Sequence, residues 1–381
     1  MAGIYVHVPF CRSRCIYCDF YSTTREEEMA AYTDALCCEL KGRQAELANE
    51  HVGTIYFGGG TPSLLPSALL QRIIDTICIH YDVAEDAEIT LEMNPDDSVD
   101  VATLSRINRI SLGVQTFDDE LLRLLRRRHD STTAIAAVKK LQAAGIGNIS
   151  IDLIYGLPGQ TMETWEHDLQ QAFALGIQHL SAYALSYEEG TLLSRWREAG
   201  KIQEACDELE VAMFERLCQC ARKAGFEHYE ISNFALPHFY SHHNSSYWTG
   251  IPYAGFGPGA HSYDGVRTRR ANRPDLSRYL QLMTHEGVNP MTDEQLADFE
   301  QLSTAELYDE AVMCGLRTSR GINLAHLKER FGEARLQELL SQAQTHLRQG
   351  RLKLTDGSLR LTEQSLMISD DIMSDLMAVS A

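Results

Sequence analysis

Short apolar segments alternate with longer amphipathic ones through the first half of this 381-residue chain, and this alternation restricts its fold more than any other feature. The apolar segments have the length of strands, and those between them have helical periodicity. Strands separated by such helices form βα units with parallel strands and right-handed crossovers. The predicted strands cover residues 4–8, 54–57, 88–93, 110–114, 149–154 and 179–185. The predicted helices cover residues 26–48, 67–81, 98–107, 119–127, 132–144 and 162–175.

Six such units predict an α/β fold, an open or partial (β/α)6 barrel rather than a closed eightfold one. In such sheets ligands bind at the C-terminal ends of the strands. The unusual residues of this chain stand at those ends: three cysteines follow the first strand, a Gly-Gly-Gly-Thr-Pro run follows the second, and polar side chains lie on or just after the next three. The βα arrangement therefore brings scattered positions to one rim.

Three cysteines, Cys11, Cys15 and Cys18, have the spacing C-x3-C-x2-C. Structural zinc takes four protein ligands, and ordinary ferredoxin clusters take four thiolates. Three thiolates on a 4Fe–4S cluster leave one iron free to bind a substrate or cofactor, as an open position does in catalytic zinc sites. The alternatives are a zinc site with a distant fourth ligand and plain buried thiols.

The rest of the rim consists of the glycine run at 58–60 and of four polar residues. No one of these polar residues indicates a particular chemistry by itself. Glycine lets the backbone approach a ligand closely, so its amides and carbonyls can hold a charged amino-acid group. Carboxylates can hold ribose hydroxyls, and an arginine fork can pair with a carboxylate. Singly, each is explained by a tight turn, a surface charge or a helix cap. The polar candidates are Glu92, Gln115, Arg127 and Asp152.

The net charge of −19 argues against nucleic acid as the main partner, because phosphate binding needs a basic footprint. No stretch has the roughly 18 uncharged apolar residues of a membrane span, and no basic segment followed by an apolar one marks a secretory signal. We therefore expect a cytoplasmic protein whose ten cysteines are mostly reduced.

The alternation of predicted strands and helices ends in the second half of the chain. A helical stretch, 204–224, precedes an irregular segment, 233–273, that is dense in His, Tyr, Gly and Pro. Two short strands around Asp356-Gly357, a hairpin signal, follow a set of helices and predict a small winged-helix-like domain. These helices cover 304–314, 323–331 and 333–349, and the strands cover Leu352–Thr355 and Ser358–Leu361. The expected division is 1–232 for the barrel, 233–290 for a connecting segment and 291–381 for the C-terminal domain.

Four motifs in this order resemble the radical S-adenosylmethionine (SAM) enzymes of the oxygen-independent coproporphyrinogen III oxidase family. They are the cysteine motif with the Tyr-Val-His-Val-Pro-Phe run at 5–10, the Gly-Gly-Gly-Thr-Pro run at 58–62, Arg-Ile-Ser-Leu-Gly-Val-Gln at 109–115 and Ile-Asp-Leu-Ile-Tyr-Gly-Leu-Pro-Gly at 151–159. The resemblance covers essentially the whole chain. Within the family it is closest to the HemW branch, the heme chaperones.

The resemblance implies three cofactors: a 4Fe–4S cluster, SAM and heme. It implies that Cys11, Cys15 and Cys18 ligate three irons, and that the amine and carboxylate of SAM chelate the fourth. One electron from the cluster would then cleave SAM to methionine and a 5′-deoxyadenosyl radical. The implied partners are heme or porphyrin, a heme-accepting client protein and a small electron-donor protein, with at most peripheral membrane contact through the client. The residues implied to hold or flank SAM are Tyr5, Gly59, Gly60, Thr61, Glu92, Gln115, Arg127 and Asp152.

One departure from the family pattern concerns the position two residues after the third cysteine. True oxidases of the family place a fourth cysteine there, whereas this chain has Phe20. We therefore expect heme handling, with oxidative decarboxylation of coproporphyrinogen III as the alternative. A cluster-bearing binding protein that does not turn SAM over is a third hypothesis.

A second motif, His-Asn-x-x-Tyr-Trp at 243–248, is typical of the HemW branch. Imidazole is a natural axial ligand of heme iron, and aromatic rings can stack on a porphyrin. The residues alone favour His243 and Trp248 as anchors of an irregular loop, whereas the resemblance favours heme or porphyrin binding by His243, Tyr247 and Trp248. Which histidine ligates the iron stays open, because three more are candidates: His238, His242 and His261.

Overall fold

Six parallel strands form the centre of a twelve-stranded sheet in this computed structural model, which describes residues 1–97, 105–285 and 287–378. Their order in the sheet is their order in the chain, and each pairs in parallel with the next. They are β1 (Ala2–Val8), β2 (Val52–Gly59), β3 (Val83–Met93), β4 (Arg109–Gln115), β5 (Ile149–Tyr155) and β6 (His179–Ala184). Each predicted strand overlaps one of them, so the predicted parallel α/β fold is confirmed.

Helices connect these strands, and several begin at side-chain caps. Asp118, Asp130 and Thr161 each accept a backbone amide at the start of a helix. The helices are α1 (Met29–Gly42), α2 (Ser67–His80), α3 (Asp119–Leu124), α4 (Ser131–Ala143), α5 (Met162–Ala174), α6 (Leu192–Glu198) and α7 (Asp207–Lys223). The single helix predicted over 26–48 is shorter, because 3-10 turns occupy both of its ends. Of the helix predicted over 98–107, residues 98–104 lie outside the described residues.

The sheet is extended at both edges by strands within and on either side of the segment 233–290, which we expected to be irregular. Strand β9 pairs in parallel with β1, and β10, β11 and β12 follow it in antiparallel order, while β8 and β7 continue from β6. These elements are β7 (Glu227–Glu230), β8 (Asn233–Ala235), α8 (His242–Thr249), β9 (Tyr253–Phe256), β10 (His261–Tyr263), β11 (Thr268–Asn272), α9 (Leu276–Met283) and β12 (Ala297–Gln301). Strands of three to five residues, separated by Gly and Pro, are too short to show alternation, which is why the prediction was wrong.

A smaller C-terminal unit has its own apolar core and a three-stranded antiparallel sheet in the order β13-β15-β14. Its elements are α10 (Thr304–Arg317), β13 (Ile322–Asn323), α11 (Leu324–Arg348), β14 (Leu352–Thr355), β15 (Ser358–Leu361) and α12 (Ser369–Leu376). Gly332, with φ 87°, breaks α11 where two separate helices were predicted. The predicted winged-helix-like arrangement is confirmed. Within the described ranges, no helix combines the length and apolar character that a membrane crossing requires.

A buried ion pair fastens α1 to the strands added beside β1. Arg43 Nη1 donates to Glu39 Oε1 and to the carbonyl of Gly255, both at 2.7 Å. Glu39 Oε2 accepts from the Gly257 amide at 2.8 Å and from the Tyr279 hydroxyl at 2.7 Å. Both charges are almost completely buried, so their pairing with one another and with the backbone is what makes the burial tolerable. The pair therefore fixes the position of β9 relative to α1.

We expect Glu39→Gln to lower the free energy of unfolding by about 3 kcal/mol, because it leaves the Arg43 charge buried with one partner fewer. Chemical denaturation measures the change, and the exposed Glu215→Gln on α7 is the matched control. Equal stability of the two variants would contradict the role given to this ion pair.

The same pair predicts a loss of stability in acid. Burial alone would raise the pKa of Glu39, but the Arg43 and Arg270 charges outweigh it and hold the pKa below its ordinary value. The stabilisation is therefore complete above the unfolded-state pKa of roughly 4.3 and is lost as the pH falls through the lower native pKa. The stability difference between the wild type and Glu39→Gln should shrink over that interval.

Candidate functional site

A cavity of about 500 Å³, which we call the first cavity, lies at the C-terminal ends of the six parallel strands. Ten of the eleven residues predicted for the cluster and for SAM line it, as expected if parallel strands deliver their ends to one edge. They are Cys11, Cys15, Cys18, Gly59, Gly60, Thr61, Glu92, Gln115, Arg127 and Asp152.

Tyr5, the eleventh, lies elsewhere. Its hydroxyl is 3.2 Å from Nδ1 of His7, and its ring stacks on Tyr56 with 6.1 Å between centroids. Side chains alternate along β1, so Tyr5 and His7 face one side of the sheet, whereas Ile4 packs in the core on the other side. Tyr5 lines a second cavity, also of about 500 Å³, instead of the first. Tyr5 therefore does not line the first cavity, and its predicted role in holding or flanking SAM stays a prediction.

The glycine run holds the cysteine loop through backbone contacts. The Gly60 amide donates to Val8 O at 2.8 Å, and the Thr61 amide donates to Phe10 O at 2.7 Å. A Cβ on Gly60 would lie 2.7 Å from Phe10 O, so only glycine fits this crossing. Thr61 Oγ1 in turn lies 3.5 Å from Cys11 Sγ. These two amides thus position the cysteine loop, and the role of Gly59, Gly60 and Thr61 in holding SAM stays a prediction.

Arg127 connects the cysteine loop to the rim. Its Nη1 donates to Cys15 Sγ at 3.4 Å, and its Nη2 donates to Asn94 Oδ1 at 2.6 Å and to Gly113 O at 2.5 Å. Two nitrogens of the guanidinium that we expected to pair with a ligand carboxylate are therefore engaged by the protein, whereas Nε is buried without a hydrogen-bond partner among the described residues. Asn94, which also donates to Thr61 Oγ1 at 3.1 Å, was not among the predicted site residues. Its place directly after β3 was the signal that could have identified it.

Glu92 and Asp152 place two carboxylates on the rim. Glu92 Oε1 accepts from the Tyr56 hydroxyl at 2.7 Å, and Oε2 accepts from the Gly59 amide at 3.1 Å. Burial raises the pKa of Glu92 to about 7, and the nearby Asp152 charge adds to this rise. Asp152 accepts from Ser111 Oγ at 3.3 Å, and burial raises its pKa as well. A ligand that donates hydrogen bonds or carries positive charge would stabilise both ionised forms.

Gln115 ends β4 in a left-handed conformation with φ 72°. The pairing register with β5 shifts between Gly113 and Gln115, which is a bulge at the end of the strand. A Cβ on Gly113 would lie 2.9 Å from Gln115 Nε2 and 3.4 Å from Arg127 Nη2. Glycine at this position therefore makes room for two of the predicted rim side chains.

The His-Asn-x-x-Tyr-Trp motif lies on α8, and its three candidate residues point to different places. His243 is buried, with Nδ1 2.9 Å from Thr54 Oγ1 and Nε2 2.8 Å from the Tyr247 hydroxyl. Burial lowers the pKa of His243 to about 3, so the ring is neutral. Trp248 packs under the Arg317 guanidinium, 4.8 Å from its ring centroid, and Tyr247 lines the second cavity. Both nitrogens of His243 are thus engaged, so it could ligate iron only by giving up one of these contacts.

The three alternative histidines also differ in position. His238 and His242 are exposed and lie outside the walls of both cavities. His261, on β10, is exposed and lines the second cavity.

Comparisons with known proteins cover both halves of the chain. The Radical SAM superfamily model matches residues 5–172, and the HemN C-terminal domain model matches residues 302–368. The heme chaperone HemW of Synechocystis sp. is 37% identical over 336 residues, which span 85% of this chain and 79% of that protein. The heme chaperone HemW of Bacillus subtilis is 33% identical over 340 residues, which span 88% of each.

Among solved structures, coproporphyrinogen III oxidase (HemN) from Escherichia coli, described as a radical SAM enzyme, matches with a TM-score of 0.84 and 22% identity. The match covers 99% of this chain and 90% of that one, and at this identity it shows the fold alone. The identity and coverage of the curated relatives show the family. This chain belongs to the HemW branch of the radical SAM superfamily.

Proposed function

We propose that this protein is a heme chaperone that holds a 4Fe–4S cluster and SAM in the first cavity and delivers heme to a client protein. The observation that carries the proposal is the convergence of the three motif cysteines and the polar rim on that one cavity. The names of the curated relatives support heme as the cargo. A small electron-donor protein and the client would be its protein partners.

The cysteines of the first cavity fit a cluster with one free iron. Cys11, Cys15 and Cys18 are unpaired thiols, each partly exposed. Within the described ranges, no three or more His, Cys, Asp or Glu side chains are placed to hold a single ion, whereas on a cluster each thiolate binds a different iron. Burial raises the pKa of Cys11 and raises that of Cys18 to about 11, so these two groups keep their protons until iron displaces them.

The rim fits the charge and hydrogen-bonding groups of SAM. Glu92 and Asp152 offer carboxylate oxygens to an ammonium group or to ribose hydroxyls. Gln115 adds an amide that can both donate and accept. When SAM is bound beside a reduced cluster, it supplies reductive cleavage of a carbon–sulfur bond. The protein orients the ligand, and Arg127 keeps a positive charge beside the Cys15 sulfur.

Phe20 favours the chaperone over the oxidase. It follows Cys18 by two residues, at the position where the oxidases have a cysteine, and it borders the first cavity. A phenyl side chain cannot ligate iron or exchange a hydrogen atom as a thiol does. Coproporphyrinogen oxidation remains the second candidate, because the fold matches that of a coproporphyrinogen III oxidase.

We expect Cys15→Ser to lose the cluster, because it removes one of three thiolates together with the contact to Arg127. Iron and acid-labile sulfide in the anaerobically reconstituted protein should fall to background. Cys38→Ser, which changes an exposed thiol on α1, should keep the wild-type content. A full iron content in Cys15→Ser would refute the assignment of the cluster.

We expect Asp152→Asn to weaken SAM binding about 10- to 100-fold, because hydrogen bonds to a charged group contribute roughly 1.5–3 kcal/mol. Asp152 is a better test than Glu92. Both oxygens of Glu92 accept hydrogen bonds from protein donors, so the NH2 group of a glutamine at position 92 would face one of these donors and disturb the site. Equilibrium binding to cluster-loaded protein measures the effect, and iron content should not change. Asp86→Asn, an exposed change on β3, is the control, and equal affinities would remove Asp152 from the site.

The two candidate functions are separated by an anaerobic product assay. Reconstituted wild-type protein incubated with coproporphyrinogen III, SAM and a reductant should form no protoporphyrinogen IX, whereas added ferric heme should shift its Soret band on binding. Formation of protoporphyrinogen would establish the oxidase instead. An unchanged heme spectrum would rule out the chaperone.

A further inference from the structure

The second cavity opens beside the first, on the side of β1 where β9 to β12 extend the sheet. Its volume lies within the roughly 300–1,000 Å³ typical of cofactor and small-molecule sites. The two cavities share Asp19 and Phe20, which come directly after the third cysteine of the motif. A ligand in the second cavity would therefore lie against the cysteine loop without occupying the first.

One of the two histidines that line the second cavity has a ring without a hydrogen-bond partner among the described residues. His7 also lines it, but Nδ1 of that ring is 3.2 Å from the Tyr5 hydroxyl and Nε2 is 2.9 Å from Tyr21 O. The ring of His261 is exposed and makes no hydrogen bond to any of the residues that the structure describes. Burial of part of the ring, together with the Arg269 charge, lowers the pKa of His261 and keeps it neutral. A neutral imidazole with a free lone pair is what iron ligation requires.

The strand that carries His261 packs closely against β9. A Cβ on Gly255 would clash with His261 O, so the two strands approach each other as closely as glycine allows. The carbonyl of Gly255 accepts from the buried Arg43, whose charge is paired with Glu39. Ligands placed on supported strands keep their geometry better than ligands on loops.

The walls of the second cavity suit a flat apolar ring. Phe20 is 61% exposed at the boundary of the two cavities, and the rings of Tyr247 and Tyr253 meet edge to face at 4.7 Å. Large aromatic side chains left exposed in a cavity commonly mark a ligand site. Of the charged residues in the wall, Arg273 is paired with Asp298 at 2.6 Å, and Asp19 adds a second carboxylate. A wall with more acid than base repels coproporphyrinogen, which carries four carboxylates, more strongly than heme, which carries two.

From these contacts we propose that the second cavity is the tetrapyrrole site and that the imidazole of His261 is an axial ligand of the heme iron. In this site Phe20 lies against the face or edge of the macrocycle, and Tyr247 is the member of the His-Asn-x-x-Tyr-Trp motif that reaches it. His243 then acts indirectly, because its contact with the Tyr247 hydroxyl orients that ring. This assignment rests on the proposed heme-binding function and names where that function is performed.

The test compares ferric heme with metal-free protoporphyrin IX on the full-length, cluster-loaded protein. An axial ligand acts only on the iron-bearing ring, so His261→Ala should weaken ferric heme binding about tenfold or more and leave the affinity for metal-free protoporphyrin within about twofold. The Soret band and the electron paramagnetic resonance spectrum should lose the signature of nitrogen ligation, and added imidazole should restore it. Phe20→Ala should weaken both ligands about two- to tenfold, because it removes an aromatic contact.

His238→Ala, an exposed histidine outside both cavities, is the matched control and should behave as the wild type does. Unchanged ferric heme affinity and spectrum in His261→Ala would overturn the ligand assignment. So would an equal loss of both ligands, because it would indicate a general disturbance of the cavity. If the wild type itself binds neither ligand, the heme-binding function is wrong, and that failure is distinct from the failure of His261 alone.

Discussion

The crossing of the cysteine loop over the glycine run is the contact on which the rest of the site depends. The amides of Gly60 and of the following Thr61 donate to the carbonyls of Val8 and Phe10, and only a residue without a Cβ fits at Gly60. Because β1 and β2 are neighbours in a parallel sheet, this crossing places the loop at the C-terminal edge, where the ends of the next strands meet it. Arg127 then reaches the loop from beyond β4 and connects it to the rim.

The strands added beside β1 form part of the wall of the second cavity. They widen the sheet past the six parallel strands, and the buried Glu39–Arg43 pair holds the first of them against α1. Side chains of β1 and of the strands beyond it thus line the second cavity, whose wall is rich in aromatic residues. Phe20 lies between this cavity and the cysteine loop. In this account, the position at which the oxidases carry a cysteine has become part of the wall of the heme site.

Much of the barrel and its rim could be predicted from sequence, because buried parallel strands are apolar runs and their functional residues come directly after them. Gly60 and Asp152, which were predicted on this basis, both line the first cavity. Tyr5 was predicted beside SAM because of the family resemblance, whereas the alternation of side chains on β1 turns it to the second cavity. The strands between 233 and 290 are too short to carry a pattern. The two ring nitrogens of His243 are engaged by Tyr247, on the same helix, and by Thr54, which is nearly two hundred residues away in the sequence. No spacing rule predicts the contact with Thr54.

The central claim is that one chain holds two iron centres in two adjoining cavities. Anomalous scattering at the iron edge, from anaerobic crystals of reconstituted protein with SAM and ferric heme, tests it directly. The account predicts a cluster of iron peaks bounded by the sulfurs of Cys11, Cys15 and Cys18, and a separate single peak beside the ring of His261. A heme iron found in the first cavity, or beside His243, would contradict it.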